Sequence, residues 1–309
     1  MLKYKKIFIH DFPLTNSNSD LENYTRENLE LDRAYILASC AKDRIETKEW
    51  LESLWIKYQP YAEPGFLDKL RSKNNSGFHT FSWQMYLATV FLDKGYPLVP
   101  NRGVGPDLQV AIDDKNIWVE AIVTTPGNDQ TINATPASGD IYKFLDPRIA
   151  RISNAFTQKY KKYKEKYLGK ICSSNEPFII AINGAYTNSS FGSRAIEATV
   201  YGRGNDMYKI KRDNSSSGRF YELKKCIEIK KEEKSVSIPT NYFCTDQYQE
   251  VNAIIYCEQN IINANNFGRA PEKELYFTIN QNAKNDLSSF AVGNLIKREQ
   301  NGEIARHFI

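Results

Sequence analysis

The chain has 309 residues, of which 41% are hydrophobic, 25% charged and 13% aromatic, enough for a real core and against global disorder. A formal charge of +4 tolerates a polyanionic partner without demanding one. Five scattered cysteines without a CxxC and three distant histidines argue against a zinc site or a disulfide framework. They fit a reducing compartment. No apolar run suits a signal peptide or a membrane span, so the expectation is a cytoplasmic protein with no membrane partner.

In chain order, a short first strand is expected, then helices through about residue 75. Trp50, Leu51, Leu54, Trp55 and Tyr58 recur at helical spacing. The polar stretch 71–77 is a plausible boundary, which makes 1–75 a helical N-terminal region and 76–309 a second unit. "FHTFSWQMYLATVFLDKGY" reads as a helix closed by Gly95. Short strands follow at Leu98–Val99, Leu108–Ile112 and Ile117–Val123, the last two joined as a hairpin through residues 113–116. A long Thr/Pro/Asn/Gly-rich loop spans 124–147, either mobile or closing over a substrate. A basic helix from about Pro147 to Tyr167 comes next, then a buried strand in "PFIIAING". Residues 185–250 read as a β-rich insert, and the core resumes at 251–257 and 274–280. This order implies an α/β fold with a sheet of mixed direction.

The hairpin carries the chemistry. Asp107 stands at the mouth of one strand and Glu120 in the middle of the next, flanked by Trp118 and Ile122. A charge in an apolar strand is costly unless paired, hydrogen-bonded or bound to a metal. Strand alternation puts Trp118, Glu120 and Ile122 on one side, and hairpin pairing lets Asp107 face Glu120. Two such carboxylates repel unless a cation neutralises them, and an all-oxygen set suits Mg²⁺ or Mn²⁺. The bland readings are a turn residue for Asp107 and a polar edge for Glu120.

A helix, then "GPD", then about a dozen residues, then an apolar strand bearing Glu resembles the PD-(D/E)xK restriction-endonuclease-like superfamily. The resemblance covers roughly residues 78–184, with 251–283 as a completion. It implies a restriction-endonuclease-like mixed central sheet flanked by helices, with the helical N-terminal region and the β-rich insert added to it. It implies metal-dependent phosphodiester hydrolysis of nucleic acid, with Asp107, Glu120 and the Ala121 carbonyl on Mg²⁺ or Mn²⁺. Since such domains that cut both strands often pair, it also allows a homodimer. Two positions depart from the family's pattern: Ile122 stands where its lysine is usual, and Gln84 where a helix acid often adds a third carboxylate. Some members that lack the lysine supply its charge from the following helix, where Arg151, Ala155 and Lys159 share a face. Lys159 is the first candidate, Lys162 the second, and Arg151 a phosphate clamp. The bland reading of this basic run is a solvated helix face. The alternative function is a catalytically silent nuclease-like fold that binds nucleic acid or protein, for which Ile122 and Gln84 speak.

Overall fold

The computed structural model describes residues 5–73, 77–112, 114–124, 141–184, 192–209, 218–231, 234–259, 270–299 and 303–308. Most of the loop expected over 124–147, part of the polar stretch 71–77 and most of the Ser-rich segment of the insert lie outside these residues.

The N-terminal region folds as α1 (Asn18–Glu27), α2 (Arg33–Cys40), α3 (Ile45–Tyr58) and α4 (Phe66–Arg71). Ser17 and Asp32 cap the first two, each accepting from a backbone N–H of the first turn. Among the described residues the expected first strand does not form. The Ile7 and Phe8 N–H groups instead donate to the Glu52 carboxylate at 3.2 and 3.0 Å, so the segment has a side-chain partner in place of a neighbouring strand. Next comes α5 (Gly77–Asp93), buried along most of its length, and it ends where Gly95 adopts a φ of 80°.

A seven-stranded sheet forms the centre. Its strands are β1 (Leu108–Ile112), β2 (Lys115–Val123), β3 (Phe178–Asn183), β8 (Ala253–Cys257), β9 (Leu275–Ile279), β10 (Asn294–Arg298) and β11 (Ile304–Phe308), lying side by side in that order. β2, β3 and β8 run parallel, β9 and β10 are parallel to each other, and the remaining pairs are antiparallel. The architecture is therefore α/β with a mixed sheet. Leu98–Val99 contributes a single bridge, from Leu98 to Val110, and not a strand. Pro97 and Pro100 on either side have no N–H to donate to a ladder. The hairpin turn is tighter than expected, because Ile112 already pairs with Lys115.

Alternation along the strands divides the core between two faces. Val119, Ala121, Ile179, Ala181, Ile255 and Phe277 face α5 and the N-terminal helices, and one continuous core joins them to Tyr58, Phe66 and Phe78. The Trp83 indole ties α5 to the sheet by donating to the Ala181 carbonyl at 3.1 Å. The opposite face holds Trp118, Ile180, Ile182, Ile254 and Tyr256 beneath α6 (Ile141–Lys162) and α7 (Arg194–Tyr201). α6 begins before the expected Pro147 and contains it, so the proline removes one ladder donor without stopping the helix. Within the insert, β4 (Arg203–Lys209) pairs with β5 (Gly218–Leu223), and β6 (Cys226–Lys231) with β7 (Lys234–Pro239). The insert is not wholly β: α7 is buried from Ala195 to Tyr201. Its Glu197, fully buried, accepts from Ser193, Arg203 and Arg306 and so ties β11 to the insert.

Candidate active site

Gly105 has a φ of 100°, in the left-handed region where a side chain is strained, and a Cβ there would stand 3.1 Å from Ile171. Pro106 follows and delivers Asp107 to the start of β1. Leu108 pairs with Val119, so one further step of the same register sets Asp107 opposite Glu120. The acids expected to face each other across the hairpin do so, on the face covered by α6.

Each acid is held differently. Asp107 accepts the Ala121 N–H on Oδ2 at 2.7 Å. A strand residue's N–H and C=O point to the same side, so the Ala121 carbonyl turns toward Asp107 as well. Glu120 has no solvent exposure, and its Oε1 accepts from two ammonium groups, Lys159 Nζ at 2.7 Å and Lys162 Nζ at 2.6 Å. Both lysines expected from the following helix therefore reach the site. They neutralise Glu120 where a divalent ion was expected to do so. Glu120 Oε2 is buried and has no hydrogen-bond partner among the described residues.

Burial, and then the charge of Glu120, push the Asp107 carboxyl up to about 7; Lys159, the Ala121 N–H and Lys162 offset part of that rise. Burial by itself would lower the Lys162 ammonium, but the charge and hydrogen bond of Glu120 outweigh it, and the net shift is upward.

Gln84 is buried, and its amide donates to the Asp107 carbonyl at 3.1 Å and to the Tyr58 hydroxyl at 2.8 Å. It holds the backbone of the site and brings no third negative charge. Asn101 supports the same carbonyl at 2.9 Å. Arg151 is half-buried on α6 and has no hydrogen-bond or ion-pair partner among the described residues.

Sequence reasoning missed Asn101, read Tyr58 as an apolar helix residue, and gave Tyr167 no role beyond the end of the basic helix. Tyr167 lies at the end of a π turn, Tyr163–Tyr167, in which the Leu168 N–H reaches five residues back to the Tyr163 carbonyl at 2.9 Å. In a regular helix Tyr167 would stand about 140° round from Lys162. The wider turn closes that angle, and the Lys162 ammonium lies over the Tyr167 ring, 5.1 Å from its centroid. Such turns carry no composition signal. The Tyr58 hydroxyl had a readable one, since a tyrosine on a buried face needs a partner for its oxygen.

Another buried acid, Glu258 just past β8, lies with Tyr256 and Arg148. Burial pushes Glu258 up to about 8.

The donor set suits a hard divalent cation, since Asp107, Glu120 Oε2 and the Ala121 carbonyl are all oxygen and one of them is a buried carboxylate atom without a partner. Among the described residues no third His, Cys, Asp or Glu joins the two acids. Among them, too, no helix is long and apolar enough to cross a membrane. No family model matches the chain, and comparison with curated proteins and with solved structures found no match.

Proposed function

We propose that this protein hydrolyses phosphodiester bonds of nucleic acid, with Asp107 and Glu120 as its paired acids and Lys159 and Lys162 as its cations. The observation that carries the reading is Glu120, a fully buried carboxylate with two ammonium groups on one oxygen and none on the other, opposite Asp107. A structural ion pair needs neither the second acid nor the unpartnered oxygen. The rest of the domain assignment, a restriction-endonuclease-like core from residue 76 onward, belongs to the same proposal.

The residues divide the work. Asp107, opposite Glu120 and anchored by the Ala121 N–H, is placed to orient an attacking water and take its proton. Lys159 and Lys162 place positive charge where negative charge grows on the phosphoryl oxygens. Arg151, unpartnered on the same helix, contributes to holding the phosphate backbone. Asp107, Glu120 and the Ala121 carbonyl would hold Mg²⁺ or Mn²⁺, which when bound supplies Lewis-acid polarisation of the phosphate. Water adds to phosphorus, the P–O bond to the leaving sugar oxygen breaks, and that oxygen takes up a proton.

A silent binding module is the second reading. It is favoured by Ile122, which replaces the usual lysine of the resembled family, and by the lysine pair, which already neutralises Glu120. A cleavage panel separates the two: plasmid, linear duplex, single-stranded DNA and structured RNA with Mg²⁺, Mn²⁺ or EDTA, for wild type and Glu120→Ala. Metal-dependent cleavage that the variant lacks supports the nuclease. Absence of cleavage on every substrate, together with no Mn²⁺ uptake by the wild type, favours the silent module.

A further inference from the structure

A pocket of about 390 Å³ opens between residues 99–106 and the hairpin. Its volume lies within the range taken by small-ligand sites, about 300–1,000 Å³. Its floor is the next pair along the hairpin, Gln109 opposite Trp118. Alternation places Gln109 on the same side as Asp107 and Trp118 on the same side as Glu120. The pocket is thus one strand step of two residues, about 7 Å, from the acids. That is the reach of a single nucleotide along a bound strand.

The lining is chemically mixed. Val99, Pro100, Val104 and Pro106 make apolar walls, and Trp118 completes them. Gln109 Nε2 is committed to Asn116 at 2.8 Å, which leaves its carbonyl oxygen as an acceptor at the floor. Arg102 is exposed at the rim and has no partner among the described residues, so a cation stands where the pocket meets solvent. The rim is also preorganised. Asn101 accepts the Gly103 N–H at 2.7 Å and donates to the Asp107 carbonyl, so the wall of the pocket and the backbone of the acid are one hydrogen-bonded unit.

Resting on the phosphodiesterase reading, we infer that this pocket seats an unpaired nucleobase of the substrate, next to the phosphate held at Asp107 and Glu120, with Arg102 on the adjoining phosphate. A base provides flat apolar faces for the walls, an N–H edge for the Gln109 oxygen, and an anionic neighbour for Arg102. A base still paired in a duplex cannot enter. The substrate class is therefore single-stranded or locally unpaired nucleic acid.

Binding tests this without relying on catalysis. The full chain, in EDTA, is titrated into fluorescent short single strands of DNA and of RNA. A duplex of the same sequence and a set of single strands each abasic at one position are measured alongside. Single strands bind about tenfold more tightly than duplex, and at least one abasic position loses about the same factor, the worth of one seated base. Val104→Trp fills the pocket from its open side at a residue that is 67% exposed, so it loses the same factor with an unchanged melting temperature. Equal affinity for single strand and duplex, or abasic strands that bind as well as intact ones, overturns the base pocket alone. Failure to bind any nucleic acid overturns it together with the reading it rests on. Base-dependent binding without cleavage in Mg²⁺ or Mn²⁺ supports the pocket and removes only the catalytic claim.

Discussion

The Lys162 ammonium meets the Glu120 carboxylate at 2.6 Å, joining a helix to a strand that lies 42 residues earlier in the chain. Lys159 reaches the same oxygen from one turn back. Glu120 is fully buried, whereas the lysine side chains keep 17% and 36% exposure. The anion therefore depends on the cations more than they depend on it.

That asymmetry sets the effect of neutralising the acid. Glu120→Gln leaves two lysines able to turn toward water and also relieves Asp107 of a neighbouring charge. A loss of about 1–2 kcal/mol is expected, below the ~3–5 kcal/mol for stranding a buried charge. Urea unfolding in EDTA measures it. A gain in stability would show that repulsion between the two carboxylates outweighs the lysine pairing.

Removing the cations is expected to be worse. Lys159→Met and Lys162→Met each leave Glu120 one partner and cost about 1 kcal/mol, while the double variant strands the carboxylate and costs about 3–5 kcal/mol. The same urea series, run as a double-mutant cycle, gives the coupling. Strict additivity would mean that the two lysines do not share Glu120.

Asp107 carries a pH signature. Its carboxyl is raised from 3.8 to about 7 in the folded chain, so the folded state holds a proton that the unfolded state releases. Stability from this group is complete below about 4 and is lost as pH rises toward 7. Asp107→Asn keeps an acceptor for the Ala121 N–H and abolishes that dependence. Unfolding free energies of both proteins in EDTA across this window should converge at the acid end and diverge, with wild type the less stable, toward neutrality. Parallel curves would place the Asp107 carboxyl in its ordinary range.

Gln84→Leu removes donors from the Tyr58 hydroxyl and the Asp107 carbonyl at a buried site. A loss of about 2 kcal/mol is expected. If the amide serves the acid, cleavage per folded molecule also falls, because Asn101 alone then fixes the Asp107 backbone. Chemical denaturation and the cleavage panel read the two effects separately.

The hairpin was legible because its two acids break an apolar alternation at positions that strand pairing brings together. The lysines were legible because α6 repeats every 3.6 residues after an identifiable strand. Other parts depend on information that no local window holds. α7 is only eight residues long and follows polar sequence, so its burial comes from the sheet and not from its own pattern. β10 is half-buried and β11 more exposed, and their placement depends on β9 and on the Glu197–Arg306 pair. Asn101 joins the site only because its side chain crosses to the carbonyl of a residue six positions on.

The π turn that continues α6 also bears on chain length. Lys164, Glu165 and Lys166 within it are all exposed. Deleting one of them would let the helix close into its regular period, with Tyr167 four residues beyond Lys162 and about 40° round from it, still on the same face. A one-residue deletion between Pro147 and Lys159 would instead turn both lysines about 100° away from Glu120. Natural variation in the length of this helix can therefore gather in the π turn without separating the lysines from the acid they hold.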